Sequence, residues 1–477
     1  MAALFISAAD FQSRNCRAGG EMHDDTIAAI ATPLGVGGLA VIRLSGPQAL
    51  AIADRCFRPA GEAAPRPSAA ASHTLHFGHI VRDGQTVDEA LLAVMRAPRT
   101  FTREEVVEIT CHGGLLPAQM VLATVLASGA RLAAPGEFTL RAFLNGRIDL
   151  AQAEAVVDLI HSRTELALRA ANEQLAGRLS RRVAALRDPL REILAHLEAH
   201  IDFPEEDIAP DAREQLIARL QHCEAQMDEL LRTAPEGQLL RRGIRVAIIG
   251  RPNVGKSSLL NQLLGHDRAI VSALPGTTRD TIEETANLRG LPVVFIDTAG
   301  LREARDEVEA EGIRRSRRAL EEAECFLHVF DASEPLTAAD RERLAAEAGK
   351  RRILVRNKMD LPVRLQLPAA AGAPVVDVCC LTGQGIEALK DAIKGLVWSG
   401  EIQAGMLPVM INARHEDALN RSRAAAQRAG ETLRAGAPLE LAALDLRIAV
   451  NALGEIVGQT TTEDLLDTIF SQFCIGK

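Results

Sequence analysis

Leu175, Leu179, Val183, Leu186 and Leu190 recur at spacings of four, four, three and four, which lays one apolar stripe along a helix and leaves Arg-rich positions on its other face. Pro189 falls inside this stretch, where a bend is expected, and Asp202-Phe-Pro-Glu-Glu-Asp207 interrupts the pattern before a second helix from about Ala212 to Leu231. Upstream, residues 26–136 mix short β-type runs, Leu39-Ala-Val-Ile-Arg43 and Glu105-Val-Val-Glu-Ile109, with turn-rich loops. A Pro/Ala/Gly stretch at 59–72 reads as a surface loop. Between about 240 and 397 the apolar runs 244–249, 293–296, 326–330, 353–356 and 375–378 alternate with helical segments, the pattern of a doubly wound α/β domain with a mainly parallel sheet. From about Met406 the helical pattern returns.

The fold class expected is therefore multidomain α/β. Residues 1–21 read as a disordered extension, with Met22 a candidate start. Residues 22–141 form an α+β domain, 142–237 and 398–477 are two halves of one helical domain, and 238–397 are an α/β domain inserted between them.

Composition narrows the class. Hydrophobic residues are 47% and charged residues 25% of the 477, and no run approaches the roughly 18 apolar residues that a membrane helix needs. Ala2 to Ala9 lacks a basic leading region, so a signal peptide is not expected. The net charge of −9 argues against a protein that coats nucleic acid, so any RNA contact must be local or shared with a partner. The eight cysteines are scattered, without a C-x-x-C pair or zinc-type spacing, and read as reduced thiols of a cytoplasmic protein with no membrane attachment. Only six of the 54 basic residues are Lys, so at each lysine the question is whether Arg would fail there.

One of the six, Lys256, stands in Gly250-Arg-Pro-Asn-Val-Gly-Lys-Ser257, after a predicted strand and at the start of a helix. That is the context of a phosphate-binding loop: glycines let the backbone wrap closely, main-chain N–H groups face the phosphates, Lys256 reaches the β and γ oxygens, and Ser257 can ligate Mg²⁺. Thr277-Thr-Arg-Asp280 follows in a loop where a threonine can complete the Mg²⁺ shell and sense the γ-phosphate. Asp297-Thr-Ala-Gly300 ends a strand, placing a carboxylate near the metal and the Gly300 N–H near the γ-phosphate. Asn357-Lys-Met-Asp360 ends another, where the Asp360 carboxylate can accept from the guanine ring N–H and exocyclic amine, a pair adenine lacks. Four such segments in this order point to GTP. Leu301 stands where Ras-type proteins carry the glutamine that orients water, so hydrolysis needs another device. Asn253 beside a monovalent cation is one candidate; Glu309, in the charged segment 302–311, is another, although the residues alone favour reading it as a solvated helix charge.

Further segments carry a resemblance. Asp25-Thr-Ile27 with Ala31-Thr-Pro33, Gly37-Gly38 through Arg43-Leu-Ser-Gly46, Glu108 with His112-Gly-Gly114, Pro135-Gly-Glu-Phe138, Arg141-Ala-Phe-Leu-Asn145 and the terminal Phe473-Cys-Ile-Gly-Lys477 make the chain similar, over residues 24–477, to the bacterial MnmE (TrmE) family of tRNA-modification GTPases. The resemblance implies a GTPase that works with an FAD-binding partner (MnmG, also GidA) in a heterotetramer. Together they place a carboxymethylaminomethyl or aminomethyl group on carbon 5 of the wobble uridine of certain tRNAs. It further implies a homodimer, and an N-terminal domain that dimerises and binds 5-formyl- or methylene-tetrahydrofolate.

By motif position, Arg43, Glu108, Arg147 and Lys477 would contact the folate, with Arg147 standing where the family more often has Lys. Asn253, Ser272, Leu274 and Thr277 would hold K⁺, Ser257 and Thr278 would hold Mg²⁺, and Glu309 would help position water. The catalytic set implied is Glu309, Asn253, Lys256 and Thr278. Nucleotide contacts would come from Asn253, Val254, Gly255, Lys256, Ser257 and Ser258, and from Ser272, Ala273, Leu274, Pro275, Gly276, Thr277 and Thr278. Asp297, Thr298, Ala299 and Gly300 add to them, as do Asn357, Lys358, Met359 and Asp360 with Cys379, Cys380 and Leu381.

Several positions depart from the family or stay open. Cys379-Cys380 replaces a usual Ser-Ala pair, and Arg103 holds a turn position usually given to Gly. Cys474 reads either as a small buried hydrophobe or as a thiol acting near the folate; His112 reads as a turn residue or as one facing the ligand. A ribosome-assembly GTPase would share the α/β domain but should add a basic, aromatic-rich RNA module, which 13 Phe, one Trp and no Tyr do not reveal. A regulatory switch needing an external activator is the other alternative, and K⁺ dependence of turnover separates it from a self-sufficient enzyme.

Overall fold

The computed structural model describes residues 6–7, 25–61, 63–202, 210–265, 283–297, 323–346, 349–368, 373–397, 409, 411–474 and 476. The chain packs as two units. Unit 1 comprises Met1–Val157, Gln174–Asp228 and Arg414–Lys477; unit 2 comprises Asp158–Glu173 and Glu229–Ala413.

In unit 1, strand β1 (Ile6–Ser7) lies inside the extension expected to lack structure and pairs antiparallel with a C-terminal strand, Thr460–Thr461. The α+β part is one seven-stranded sheet built from β2 (Ile27–Ile30), β3 (Leu39–Ser45), β4 (Phe57–Pro59), β5 (Thr74–Arg82), β6 (Gln85–Met95), β7 (Val106–His112) and β8 (Arg131–Leu132). Their order is β4-β5-β6-β7-β3-β2-β8, antiparallel except for the β2–β8 pair. Strand alternation decides what the sheet buries: Ala40, Ile42 and Leu44 turn toward helices Ala49–Cys56 and Leu115–Ala127, while Val41 and Arg43 face the other way. On that second face Phe77 pairs with Leu91, and both are exposed along with Leu75.

The 59–72 stretch is largely exposed, as a surface loop should be, and it is anchored at defined points. Pro59 closes β4, residues Pro67–Ala69 make a 3₁₀ turn, Pro67 and Ala70 are buried, and Arg96 Nη2 donates to the carbonyls of Ser68 (2.7 Å) and Ala70 (3.0 Å). Proline and alanine carry no donor side chains, so an arginine from β6's end supplies them.

The apolar repeat that begins at Leu175 spans two helices. Helix Glu165–Leu175 stops before Gly177, whose φ of 81° no side-chain-bearing residue adopts easily, and helix Arg178–Asp202 follows with Leu179, Val183, Leu186, Leu190, Ile193 and Leu197 as its buried stripe. The second helix is longer than its pattern suggested, running from Pro210 to Arg242 through Pro235, because Ala234 and Leu240 keep a buried stripe beyond Leu231. Helices Ala413–Arg434 and Leu439–Val457 return to unit 1, and Glu463–Phe470 with Phe473 packs on Phe143, Leu144 and Leu150. The C-terminal residues are thereby held against the α+β part.

Unit 2 is built on a six-stranded sheet of β9 (Ile244–Ile249), β10 (Glu283–Leu288), β11 (Leu291–Asp297), β12 (Cys325–Asp331), β13 (Arg352–Asn357) and β14 (Val375–Asp377), in the order β10-β11-β9-β12-β13-β14. All neighbours are parallel except β10, an antiparallel edge strand whose polar sequence hid it. Buried-strand runs such as Val246, Ile248, Leu327, Val329, Ile353 and Val355 pack on helices Lys256–Leu264 and Ile386–Val397.

Candidate functional site

The phosphate loop leaves β9 through a backbone that its residues dictate. Gly250 has φ 152°, and a Cβ there would come within 2.4 Å of the Val329 carbonyl oxygen; Gly255 has φ 97°, and a Cβ would come within 2.2 Å of Asn357 Nδ2. Asn253 takes φ 62°, a left-handed conformation that asparagine tolerates better than most residues. Lys256 opens helix Lys256–Leu264, and its Nζ donates to the carbonyls of Gly250 (3.0 Å) and Arg251 (2.8 Å), so the ammonium lies along the loop it is meant to serve. Ser257 and Ser258 occupy the first turn of the same helix, where free N–H groups and the helix dipole favour an anion.

The segment 357–360 joins the loop 250–257 through Asn357, which is 2% exposed. Its Nδ2 donates to the Val254 carbonyl at 2.9 Å and its Oδ1 accepts from Cys380 N at 3.2 Å, so one amide ties three segments together. Lys358, at φ 64°, donates to Asp331 Oδ2 at 2.6 Å. Burial would raise the Asp331 carboxyl, but the bonds from Lys358 and Ser333 outweigh it and hold the group below the usual carboxylate range. Asp360 is exposed, and the buried Cys379 thiol donates to its Oδ1 at 3.2 Å. Arg251, Asp331 and Gln262 were not singled out by sequence. Arg251 pairs with Glu334 (3.0 Å) and Asp340 (3.2 Å), and Gln262 Nε2 donates to the Cys380 carbonyl at 2.9 Å.

A second constellation lies in unit 1. Arg43 and Glu108 face each other across β3 and β7, with Nε to Oε1 at 2.8 Å, and Arg43 Nη1 lies 3.5 Å from the Gly476 carbonyl. Arg43 and Arg147 both stand over the Phe101 ring, 6.0 and 5.9 Å from its centroid. Phe101 escaped the sequence reading, although a single aromatic among Arg, Pro and Thr in a turn-rich loop was the available signal. Beneath it Arg141, 2% exposed, reaches Asp25 Oδ1 (2.5 Å), Glu137 Oε1 (3.0 Å) and Glu104 Oε1 (3.3 Å), and Arg131 also pairs with Asp25 and Glu137. Burial pushes the Asp25 and Glu137 carboxyls up, yet the two guanidiniums more than compensate and both lie below their ordinary values.

His112 is the last residue of β7 and does not lie in a turn: its N and Nδ1 lie 2.9 and 2.7 Å from the Asp88 carboxylate, and Gly113 N donates to the Gly38 carbonyl at 3.0 Å. That carboxylate also raises the imidazole pKa. Arg103 does adopt a glycine-type φ of 60°, with Nη1 donating to the Asn145 carbonyl at 2.9 Å. Cys474 is exposed, which removes the buried-hydrophobe reading. Ser272, Ala273, Leu274, Pro275, Gly276, Thr277, Thr278, Thr298, Ala299, Gly300, Glu309 and Lys477 lie outside the described residues, as does the side chain of Asp297.

Residues 26–147 match the family model described as the GTP-binding protein TrmE N-terminus, and residues 150–474 match that of the MnmE helical domain. The chain is 50% identical over 461 residues to a curated tRNA modification GTPase MnmE of Geobacillus kaustophilus, covering 95% of this chain and 99% of that protein. Against the MnmE of Chloroflexus aurantiacus it is 51% identical over 459 residues, covering 95% and 100%. Among solved structures, the G domain of the T. maritima FeoB iron transporter is similar over 32% of this chain and 98% of that one, at 26% identity and a TM-score of 0.26.

Proposed function

From its membership of the MnmE (TrmE) family of tRNA modification GTPases, to which this chain belongs, we propose a K⁺-stimulated enzyme whose GTP turnover drives wobble-uridine modification in a folate- and FAD-dependent complex. The observation that carries the GTP reading is the pair of hydrogen bonds of Asn357, which ties the loop at Val254 to Cys380 beside the segment that ends in Asp360. Lys256 would neutralise the β and γ oxygens, and Ser257 with Thr278 would hold Mg²⁺, which supplies charge stabilisation on the phosphates. The left-handed Asn253 fits a loop that offers a side-chain oxygen to K⁺, which Ser272, Leu274 and Thr277 would complete; Glu309 would orient water.

In unit 1, the Arg43–Glu108 pair beside Phe101 and Arg147 suits a flat, aromatic anion with N–H donors, the chemistry of a tetrahydrofolate. The Gly476 carbonyl beside Arg43 supports a role for the tail at this site, where Cys474 and Lys477 would be further contacts. The exposed Leu75, Phe77 and Leu91 on the same sheet face fit burial in a homodimer. The MnmG-type FAD protein would be the further partner, tRNA the shared substrate, and the cytoplasm the place of work. Among the described residues no helix is long and apolar enough to cross a membrane. Residues 22–141, 142–237 with 398–477, and 238–397 would serve as the folate-binding, helical and GTPase modules.

GTP turnover in K⁺ against Na⁺, with Asn253→Ala alongside, tests the reading. Strong K⁺ stimulation that the variant loses is expected; equal slow turnover in both salts would move the assignment to an externally activated switch.

A further inference from the structure

Thr285 belongs to β10, the edge strand of the unit 2 sheet, and yet is 3% exposed. An edge strand ordinarily leaves one side to water. The cover comes from residues far upstream: Arg163 Nη1 donates to the Thr285 hydroxyl, and Leu166 lies against Gly290 at the turn of the β10–β11 hairpin, where an added methyl would meet it at 3.8 Å. Leu166, Ala170 and Ala171 share an apolar cluster with Leu240 and Leu291. Arg241 Nε donates to Asp158 Oδ1 at 2.5 Å, which ties this segment to the helix that passes through Gly243 into β9.

The hairpin's place in the chain gives this packing its meaning. β10 begins five residues after Thr278, and β11 ends on Asp297, the first residue of Asp-Thr-Ala-Gly. Glu283 stands opposite Ile296 at that end of the ladder, and Leu288 stands opposite Leu291 at the other. A paired ladder moves as one body, since sliding would break its hydrogen bonds together and flip every side chain. One end is therefore linked by chain to both segments assigned to the γ-phosphate, while Thr285 in mid-ladder and Gly290 at the turn bear on residues 158–173. Arg163 is itself exposed, so its guanidinium is hydrated when the bond opens, and the cost of opening falls on the buried Thr285 hydroxyl.

We propose that residues 158–173 relay the nucleotide state, with Arg163 and Leu166 as positioning residues that follow the β10–β11 hairpin. The chain continues from this segment in both directions into unit 1, whose helices frame it in sequence. The relay rests on the GTPase reading above and deepens it, by naming where the state of the γ-phosphate leaves the α/β domain.

Hydrogen exchange of the full-length protein, in K⁺ and Mg²⁺ with GDP or with GDP and aluminium fluoride, tests it in peptides covering 158–175, 250–264 and 283–297. In the unaltered protein all three should change protection between the two states, the first by about threefold or more. Arg163→Ala and Thr285→Val should erase the difference at 158–175, keep it at 250–264, and leave kcat and KM for GTP within about twofold, since neither residue is assigned to the nucleotide. Thr285→Ser, which keeps the hydroxyl, should restore it. A segment 158–175 indifferent to nucleotide while 250–264 responds would overturn the relay, as would variants that keep the full response. If 250–264 itself does not respond, the GTP reading fails and the relay with it.

Discussion

Asn357 Nδ2 donates to the backbone carbonyl of Val254 at 2.9 Å, so a residue from the end of β13 holds the phosphate loop from behind. The same amide accepts from Cys380 N, and the space it fills leaves Gly255 no room for a Cβ. Asn357→Ala orphans the buried Val254 carbonyl, at a cost of about 1–3 kcal/mol, and the half-buried Cys380 N–H, and the loop should lose its preformed shape. Binding of a fluorescent GTP analogue is expected to weaken about a hundredfold or more. Gly255→Ala should do the same by strain, since Asn357 would have to move.

The thiol of Cys379 holds one oxygen of Asp360, the carboxylate assigned to the guanine edge. Cys379→Ser keeps a donor at this place and should preserve guanine preference, whereas Cys379→Val leaves Asp360 free to rotate. Competition of inosine triphosphate, which lacks the exocyclic amine, against GTP reads the difference: the valine variant should narrow the GTP advantage about tenfold. An unchanged ratio would show that Asp360 needs no support.

Arg43→Ala removes a guanidinium that meets Glu108, lies by the Gly476 carbonyl and stands over Phe101. Calorimetric binding of 5-formyltetrahydrofolate should weaken by about ten- to a hundredfold, as for the loss of one charge-assisted contact. Phe101→Ala should weaken it too, with no change of charge, by removing the surface against which Arg43 and Arg147 are ordered. Neither effect is expected if the ligand binds elsewhere.

Glu154 sits between Arg414 Nε at 2.9 Å and His415 Nε2 at 2.7 Å, in the helical part of unit 1, with His415 fully buried. Burial pushes its carboxyl up, but His415 and Arg414 together outweigh that and hold it well below the ordinary glutamate value. The folded pKa is thus lower than the unfolded one. Its contribution is complete above the ordinary glutamate range and is lost as pH falls through that range toward the depressed folded value. Urea midpoints from pH 7 downward should fall with acid, and Glu154→Gln should both flatten that slope and cost about 3 kcal/mol at neutral pH by taking the carboxylate from the Arg414 guanidinium and the buried His415.

Much of the candidate nucleotide site could be read from the chain because its chemistry is local. A loop that wraps a phosphate needs glycines and a lysine at fixed offsets, and a strand end that reads a base needs its carboxylate at one position, so Gly250, Gly255, Lys256 and Asp360 announce themselves. The buried strands of unit 2 were equally legible, since continuous Val/Ile/Leu runs have few other uses. β10 was not, because Glu-Glu-Thr-Ala-Asn-Leu is polar and gains its place only by pairing with β11. Phe101 likewise acquires a role only when two arginines distant in sequence converge on it.

By itself the sequence determined the order of the motifs, the helical and strand periods, and the residue types at each strand end, all consequences of spacing over a few residues. Tertiary structure alone decided that residues 158–173 pack with the α/β domain, that Asn357 ties the base end to the phosphate loop, and that the C-terminal Phe470 and Phe473 close on Phe143. Those contacts join positions far apart in the chain. They exist because burying apolar surface and satisfying each buried donor are conditions on the whole packed unit, which no local period encodes.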